Sequence, residues 1–490
     1  MWNSNKSTVL MLDHEPLMID RRIILEGQTL VRQGYSVCLA TRGDGVKPDQ
    51  ESVRGIDVRR FSDPTNLVGT ARRSIRGWME WPANEPLETR IRRALNFLPK
   101  RFQSFLYALA WPPMMVHLLR TKTPLKKLLG RYLEPIIFLL MLRPRFWLPY
   151  VRVLFAPKSD PTELEPWQSE LLKFALALRP DVIHAHDLPN LTIGRMIAAQ
   201  LKVPLIYDAH ELYPMQYFSD EGHRKALVDL ERDLISHADA VITVNRQCAD
   251  VLETTYSIQG VVPLTNATES PKDFDPELRL RLWHERFQLS GDVKIMVFQG
   301  GINPVRNVDE LIHAMTKLPD NIHVGFITYA KDIPYYENLT HRLGIFHRVH
   351  YVIEIPWDEV VSWLASSDVG IMPYQVTNFN AQISSPNKLY EFAVAGLPII
   401  GSSELVNVKR AVDEDGLGLT TLLREPGTYV EVISAMFDHP EGPERFRKNV
   451  LKARNRYLWS NEEPKLIDLY EQIRKSDWPS KSKQLAADIN

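Results

Sequence analysis

Residues 384 to 400 read SSPNKLYEFAVAGLPII and carry two ionisable side chains, Lys388 and Glu391, in a stretch otherwise made of small, polar and apolar residues. Ser385 is a good helix N-cap and Pro386 suits the first helical position. Leu389, Phe392 and Ala393 make an apolar stripe, and Gly396 is placed to stop the helix before LPII begins a strand. Three residues apart on a helix, Lys388 and Glu391 share a face near an N-terminus whose free N–H groups and dipole attract anions. A phosphate and a sugar hydroxyl are the natural ligands of that combination. An exposed Lys–Glu helical pair accounts for the spacing equally well.

A second group lies earlier. DVIHAHD (181–187) ends an apolar run with His184 and His186 two apart, hence on one face of a strand, and Asp187 beside them. Such a pair is structural, or binds a metal when a third ligand joins it. No cysteine or well-spaced third histidine supports zinc, so no metal is expected. Asp208, His210 and Glu211 end the next apolar run and reach the same crevice. Surface ion pairs are the alternative for these residues and for Asp20 and Arg22 in the early loop.

The elements that must position these groups alternate along the chain. TVLMLDH (8–14), SVCLAT (36–41), DVIHAH (181–186), PLIYDAH (204–210) and AVITVN (240–245) read as strands buried on both faces, separated by amphipathic stretches. After the polar segment NATESPKDFDPE (266–277) the pattern restarts with KIMVFQGG, HVGFIT, VHYVIE, VGIMPY and PIIGS. The expected fold is α/β, with two doubly wound Rossmann-like domains facing a cleft, where ligands lie beyond the carboxyl ends of the strands. The expected boundaries are 1–270 for the first domain, 271–458 for the second, and 459–490 for a C-terminal helix packing back on the first.

Residues 61–158 break the rhythm with seventeen Lys/Arg against five Asp/Glu, together with Trp78, Trp81, Trp111 and Trp147. A basic, Trp-containing helical insertion suits contact with an anionic membrane surface. An insertion packed on its host domain is the alternative.

A chain of 490 residues is too long for one core. Its formal net charge of -1 argues against nucleic acid as a partner. Cys38 and Cys248 alone supply no disulfide framework, which suits a cytoplasmic setting. The first apolar run is too short for a signal peptide, and PIIFLLML (135–142) is too short to span a bilayer. No G-x-G-x-x-G follows a strand, and neither a P-loop nor a G-x-S-x-G elbow is present.

SSPNKLYEFAVAGLPII resembles the donor-site motif of glycosyltransferase family 4, retaining enzymes of the GT-B fold. DRRIILEGQTLVRQGYSV (20–37), RPDVIHAHDLPNLTIG (179–194), YDAHELYP (207–214), ERDLISHADAVITVN (231–245), FQGGINPVRNVDELIHAM (298–315) and YLWSNEEPKLIDLYEQI (457–473) resemble its other segments in chain order. The resemblance implies that Glu391 holds the ribose hydroxyls of a nucleotide diphosphate sugar. It gives Arg306, with Gly300 and Gly301, the diphosphate, while Lys388 adds a second cation and Ser384 or Ser385 a hydroxyl or backbone donor. It places His186, with Asp187 beside it, under the anomeric carbon, and Asp20, Arg22, Asp208, His210 and Glu211 on the acceptor side.

The chain departs from the family at Ile383, where a glutamate is usual, at Gly301 for the usual arginine, and at Asn307 for the usual glycine. These departures, with PNK before the helix, resemble a variant subset. The implied function is a cofactor- and metal-independent hexosyl transfer to a glycan or lipid-linked acceptor in polysaccharide or cell-envelope assembly, at the cytoplasmic face of a membrane. A silent GT-B binding or scaffold protein and a GT-B sugar-nucleotide epimerase or hydrolase are the alternatives.

Overall fold

The computed structural model describes residues 7–15, 19–43, 49–62, 164–216, 221–353 and 355–475. The insertion expected over 61–158, with its membrane contact, lies outside the described residues from 63 onward. Among the described residues no helix is long and apolar enough to cross a membrane. The described residues within 1–41, 50–59 and 174–490 belong to one compact unit, which carries every candidate site residue.

Apolar runs form strands where the sequence places them. They are β1 (Thr8–Leu12), β2 (Ser36–Gly43), β3 (Gln50–Val53), β4 (Ile56–Ser62), β5 (Val182–His186), β6 (Leu205–Ala209), β7 (Ala240–Thr243) and β8 (Val262–Pro263). These eight make one sheet in the order β3-β4-β2-β1-β5-β6-β7-β8. A second sheet comprises β9 (Lys294–Gln299), β10 (Ile322–Thr328), β11 (Val349–Ile353), β12 (Val369–Met372), β13 (Ile399–Ser402) and β14 (Gly418–Thr421), in the order β11-β10-β9-β12-β13-β14. Its pairings are parallel, as continuous apolar strands require. Strand order reverses between β1 and β5 and between β9 and β12, and the candidate residues gather at the carboxyl ends of these strands.

Four strands escape the sequence pattern. The pair β3–β4 is antiparallel and turns at Arg54 and Gly55, both at positive φ, a tight hairpin without the usual Asn-Gly signal. The others are β8, two residues long, and β14, half-buried throughout.

Five helices matter for the site: α1 (Arg21–Arg32), α2 (Leu188–Leu201), α3 (Phe379–Ile383), α4 (Asn387–Val394) and α5 (Glu463–Lys475). Helix α4 starts one residue later than the sequence suggests, with Pro386 at the cap position and no side-chain cap bond. Ser385 is therefore not the N-cap: its hydroxyl accepts from Asn245 Nδ2 at 3.0 Å. Gly396 does end the helix, at φ +71°, with Gly396 N–H bonded to Ala393 O and Leu397 N–H to Phe392 O. Helix α5 buries Leu466, Leu469, Tyr470 and Ile473 and meets α1 where Thr29 Oγ1 donates to Glu463 at 2.9 Å.

Helix α4 lies close to its sheet because β12 presents a glycine. A Cβ on Gly370 would stand 2.5 Å from the Phe392 ring, which is fully buried. Gly370→Ala must push Phe392 and the helix outward, and we expect a loss of about 1–3 kcal/mol of stability by urea unfolding. An unchanged midpoint would contradict this packing.

Candidate functional site

The site is built around two opposite charges sealed from water. Arg22, in the first turn of α1, grips Asp208 on β6 through Nε at 3.1 Å and Nη2 at 2.8 Å. Arg22 is 3% exposed and Asp208 fully buried. The guanidinium also meets Glu26, one turn along the helix, at 2.9 Å and donates to Leu264 O and to Asn266 Oδ1. Burial opposes ionisation of Asp208, but Arg22 and His210 outweigh it and hold the carboxyl well below its usual range. Glu26 moves the other way: burial, with the Asp208 charge, raises it.

Register sets His186 on β5 opposite Asp208 on β6. His186 Nδ1 lies 3.1 Å from His210 Nε2 and 3.4 Å from Asp208 Oδ2. Burial lowers its pKa to about 4, so the ring is neutral at pH 7. With Nδ1 engaged, Nε2 is left without a hydrogen-bond partner among the described residues. His210 contrasts with it: burial alone would lower it, but Asp187 and Asp208 raise it to about 10. Asp187 caps α2 at φ +61°, a strained setting for a non-glycine residue, and its Oδ1 accepts from His210 N–H at 3.0 Å. Burial raises Asp187 to about 7. Asp20 caps α1 through the Arg22 N–H and stands 3.8 Å from His210 Nδ1. Glu211 accepts from Asn380 of α3 at 3.2 Å, and Asn380 Oδ1 accepts from Leu212 N–H.

On the other side of the crevice, Gly300 follows β9 at φ +103°. A Cβ there would stand 3.0 Å from Lys388 Nζ and 3.3 Å from Arg306 Nη1, so the bare backbone is what admits both cations. Arg306 lies 3.3 Å from the Tyr374 hydroxyl, and Lys388 Nζ lies 5.2 Å from the centre of that ring. Neither cation has a carboxylate partner among the described ion pairs. Gly301 has ordinary backbone and faces Asp332 and Tyr329. Ser384 donates its hydroxyl to Ala381 O, and Ser385 is buried, its carbonyl accepting from Asn266.

Glu391 is not the exposed partner of Lys388. It is 4% exposed, and its Oε1 pairs with Arg21 Nη1 at 2.5 Å, while Oε2 has no hydrogen-bond partner among the described residues. Arg21 also lies over Trp357, whose ring centre is 4.9 Å away, and Arg54 from the β3–β4 turn lies 3.3 Å from that centre. A small cavity lined by Arg21, Arg22, Asn266, Asn387 and Glu391 adjoins the pair.

Several of these residues escape sequence reasoning. Glu26 leaves one signal, a carboxylate four residues after Arg22 amid apolar helix positions. Arg21, Tyr374, Asn380 and Tyr470 leave none, because their partners lie 68 to 370 positions away. Ligand atoms of Glu26, His184, His186 and Asp208 lie within 4.8 Å of one another and could hold a metal by composition. Arg22 already bridges the two carboxylates, so the cation among them is a guanidinium.

Comparison with known proteins places the family and the fold. A profile described as a glycosyl transferase 4-like domain matches residues 141–262, and one described as glycosyl transferases group 1 matches 293–438. D-inositol 3-phosphate glycosyltransferase of Xylanimonas cellulosilytica is 22% identical over 312 residues, covering 60% of this chain and 72% of that protein. D-inositol 3-phosphate glycosyltransferase 1 of Catenulispora acidiphila is 24% identical over 310 residues, covering 59% and 72%. Sucrose-phosphate synthase from Thermosynechococcus elongatus shares the fold at TM-score 0.60 and 13% identity, covering 96% of this chain and all of that one. Anabaena HepE in complex with UDP-glucose does so at 0.58 and 13%, covering 95% and 100%. The two-sheet architecture is that of GT-B glycosyltransferases.

The folded His210 pKa of about 10 lies above its ordinary 6.5, so its stabilisation is complete below pH 6.5 and is lost as pH rises through about 10. The difference in unfolding free energy between wild type and His210→Gln should therefore shrink from pH 6.5 to 10. A difference that stays flat across that range would contradict the assignment.

Proposed function

This chain belongs to glycosyltransferase family 4, and on that premise we propose that it moves a sugar from a nucleotide diphosphate sugar to an acceptor hydroxyl with retention of anomeric configuration. The observation that carries the reading is the pair of cations, Arg306 and Lys388, converging on Gly300 without carboxylate partners. Cations with no carboxylate partner among the described residues, beside a backbone with no Cβ, suit a diphosphate. Glu391, one turn beyond Lys388, then takes the ribose hydroxyls once Arg21 moves off its Oε1.

The chemistry follows from the placement of charge. Arg306 and Lys388 stabilise the leaving diphosphate as negative charge develops on it. Neutral His186, its Nδ1 held by Asp208 and His210, turns Nε2 to a hydroxyl of the transferred sugar or the acceptor. No glutamate stands at Ile383, which favours same-face attack through an ion pair over a covalent intermediate. Arg22, already seated between Glu26 and Asp208, supports a reaction without metal at this cluster. The basic, Trp-bearing stretch 61–158 supports an acceptor at an anionic membrane surface, a lipid-linked or cell-envelope glycan.

Release of nucleoside diphosphate from a panel of nucleotide sugars should depend on added acceptor. Donor consumption independent of acceptor would instead indicate an epimerase or hydrolase. Glu391→Ala should weaken nucleotide binding about 10- to 100-fold, as expected for hydrogen bonds to a charged group, in protein that circular dichroism shows to be folded. Arg21→Ala should tighten binding, because Arg21 competes for Glu391 in the free protein; weaker binding would make Arg21 a donor ligand instead. Anionic vesicles should bind the full chain at low salt and release it at high salt, and failure to bind would remove the membrane.

A further inference from the structure

We infer that Tyr470, on the C-terminal helix α5, is a positioning residue for His186, acting through the tautomer of His184. The inference rests on the reading of His186 as the residue beside the transferred sugar.

Tyr470 is 2% exposed, and its hydroxyl lies 3.0 Å from His184 Nδ1. Burial keeps the phenol protonated and keeps His184 neutral. A phenol donating to Nδ1 leaves the single imidazole proton on Nε2. That nitrogen is buried and faces Glu26 Oε2 at 3.7 Å, with no closer hydrogen-bond partner among the described residues. Glu26 lies 2.9 Å from Arg22, and Arg22 holds Asp208, so that nitrogen faces a carboxyl group whose other oxygen meets the guanidinium.

The opposite tautomer would turn a proton on Nδ1 toward the phenol oxygen and leave the buried phenol proton without its acceptor. An unsatisfied donor in a fully buried cluster moves a ring. The ring that would move is stacked on His186, with centroids 4.4 Å apart and planes 23° from parallel. His186 is thus held on its face by His184 and at its edge by Asp208 and His210. Thr29 and Trp459 help seat the helix that delivers Tyr470, since Thr29 bonds both Glu463 and the Trp459 indole.

The test uses the full chain labelled with 15N at histidine. Long-range 1H–15N correlation on wild type should show His184 as the Nε2–H tautomer, with its resonances identified by their loss in His184→Gln. Tyr470→Phe should disturb the His184 and His186 signals together, and should lower kcat about 10- to 100-fold with the donor KM unchanged. An Nδ1–H tautomer in wild type would overturn the inference, and so would a Tyr470→Phe enzyme with wild-type kcat. If Tyr470→Phe does not fold, the wild-type tautomer decides. If wild type transfers no sugar although the Nε2–H tautomer and the joint shift of His186 are seen, the transferase reading fails and the positioning link stands.

Discussion

The buried pair of Arg22 and Asp208 is the constraint on which the rest of the site depends. Two charges without access to water are stable only when each is matched and its remaining hydrogen-bonding capacity used, and removing one partner of such a pair costs about 3–5 kcal/mol. Arg22 meets that requirement with Asp208, Glu26, Leu264 O and Asn266. Asp208 meets it with Arg22, His210 and His186. The protonation pattern follows: Asp208 stays anionic, His210 stays cationic, and His186 stays neutral although a cation and an anion lie within 3.5 Å of it.

The opposite side of the crevice uses charge differently. Arg306 and Lys388 lean on Tyr374 and Phe298 rings and on the bare backbone of Gly300, and no carboxylate among the described residues neutralises them. Aromatic faces offer a cation partial compensation without consuming its hydrogen-bond donors. Glu391 is the reverse case, a carboxylate answered by Arg21 from the other sheet's helix α1. A ligand that brings two negative charges and two vicinal hydroxyls would satisfy both arrangements at once. This complementarity connects the family assignment to the individual side chains.

Much of this was legible in the sequence, for identifiable reasons. Strands buried on both faces leave continuous apolar runs, so the two sheets could be read from TVLML, VIHAH, KIMVFQ and their neighbours. Pro386 and Gly396 bracket α4, and the spacing of Lys388 and Glu391 within it survives in the structure. The partners were not legible. Arg21 and Arg22 are adjacent, yet one turns into the core and the other reaches across to Glu391. A helix rotates about 100° per residue, and nothing local says which of the two faces inward. Ser385 reads as a cap, but the amide of Asn245, 140 residues away, claims its hydroxyl. Tyr470 is hidden for the same reason: on its own helix it is one more apolar-stripe residue, and only the return of that helix to α1 makes it a partner of His184.

The most direct measurement of the central claim is a crystal structure of the protein with the nucleoside diphosphate that binds it. The diphosphate should lie over Gly300 between Arg306 and Lys388, the ribose hydroxyls on Glu391, and Arg21 displaced from that carboxylate, with the Arg22–Asp208 pair unmoved. A nucleotide bound elsewhere, or one bound while Arg21 still holds Glu391, would contradict it.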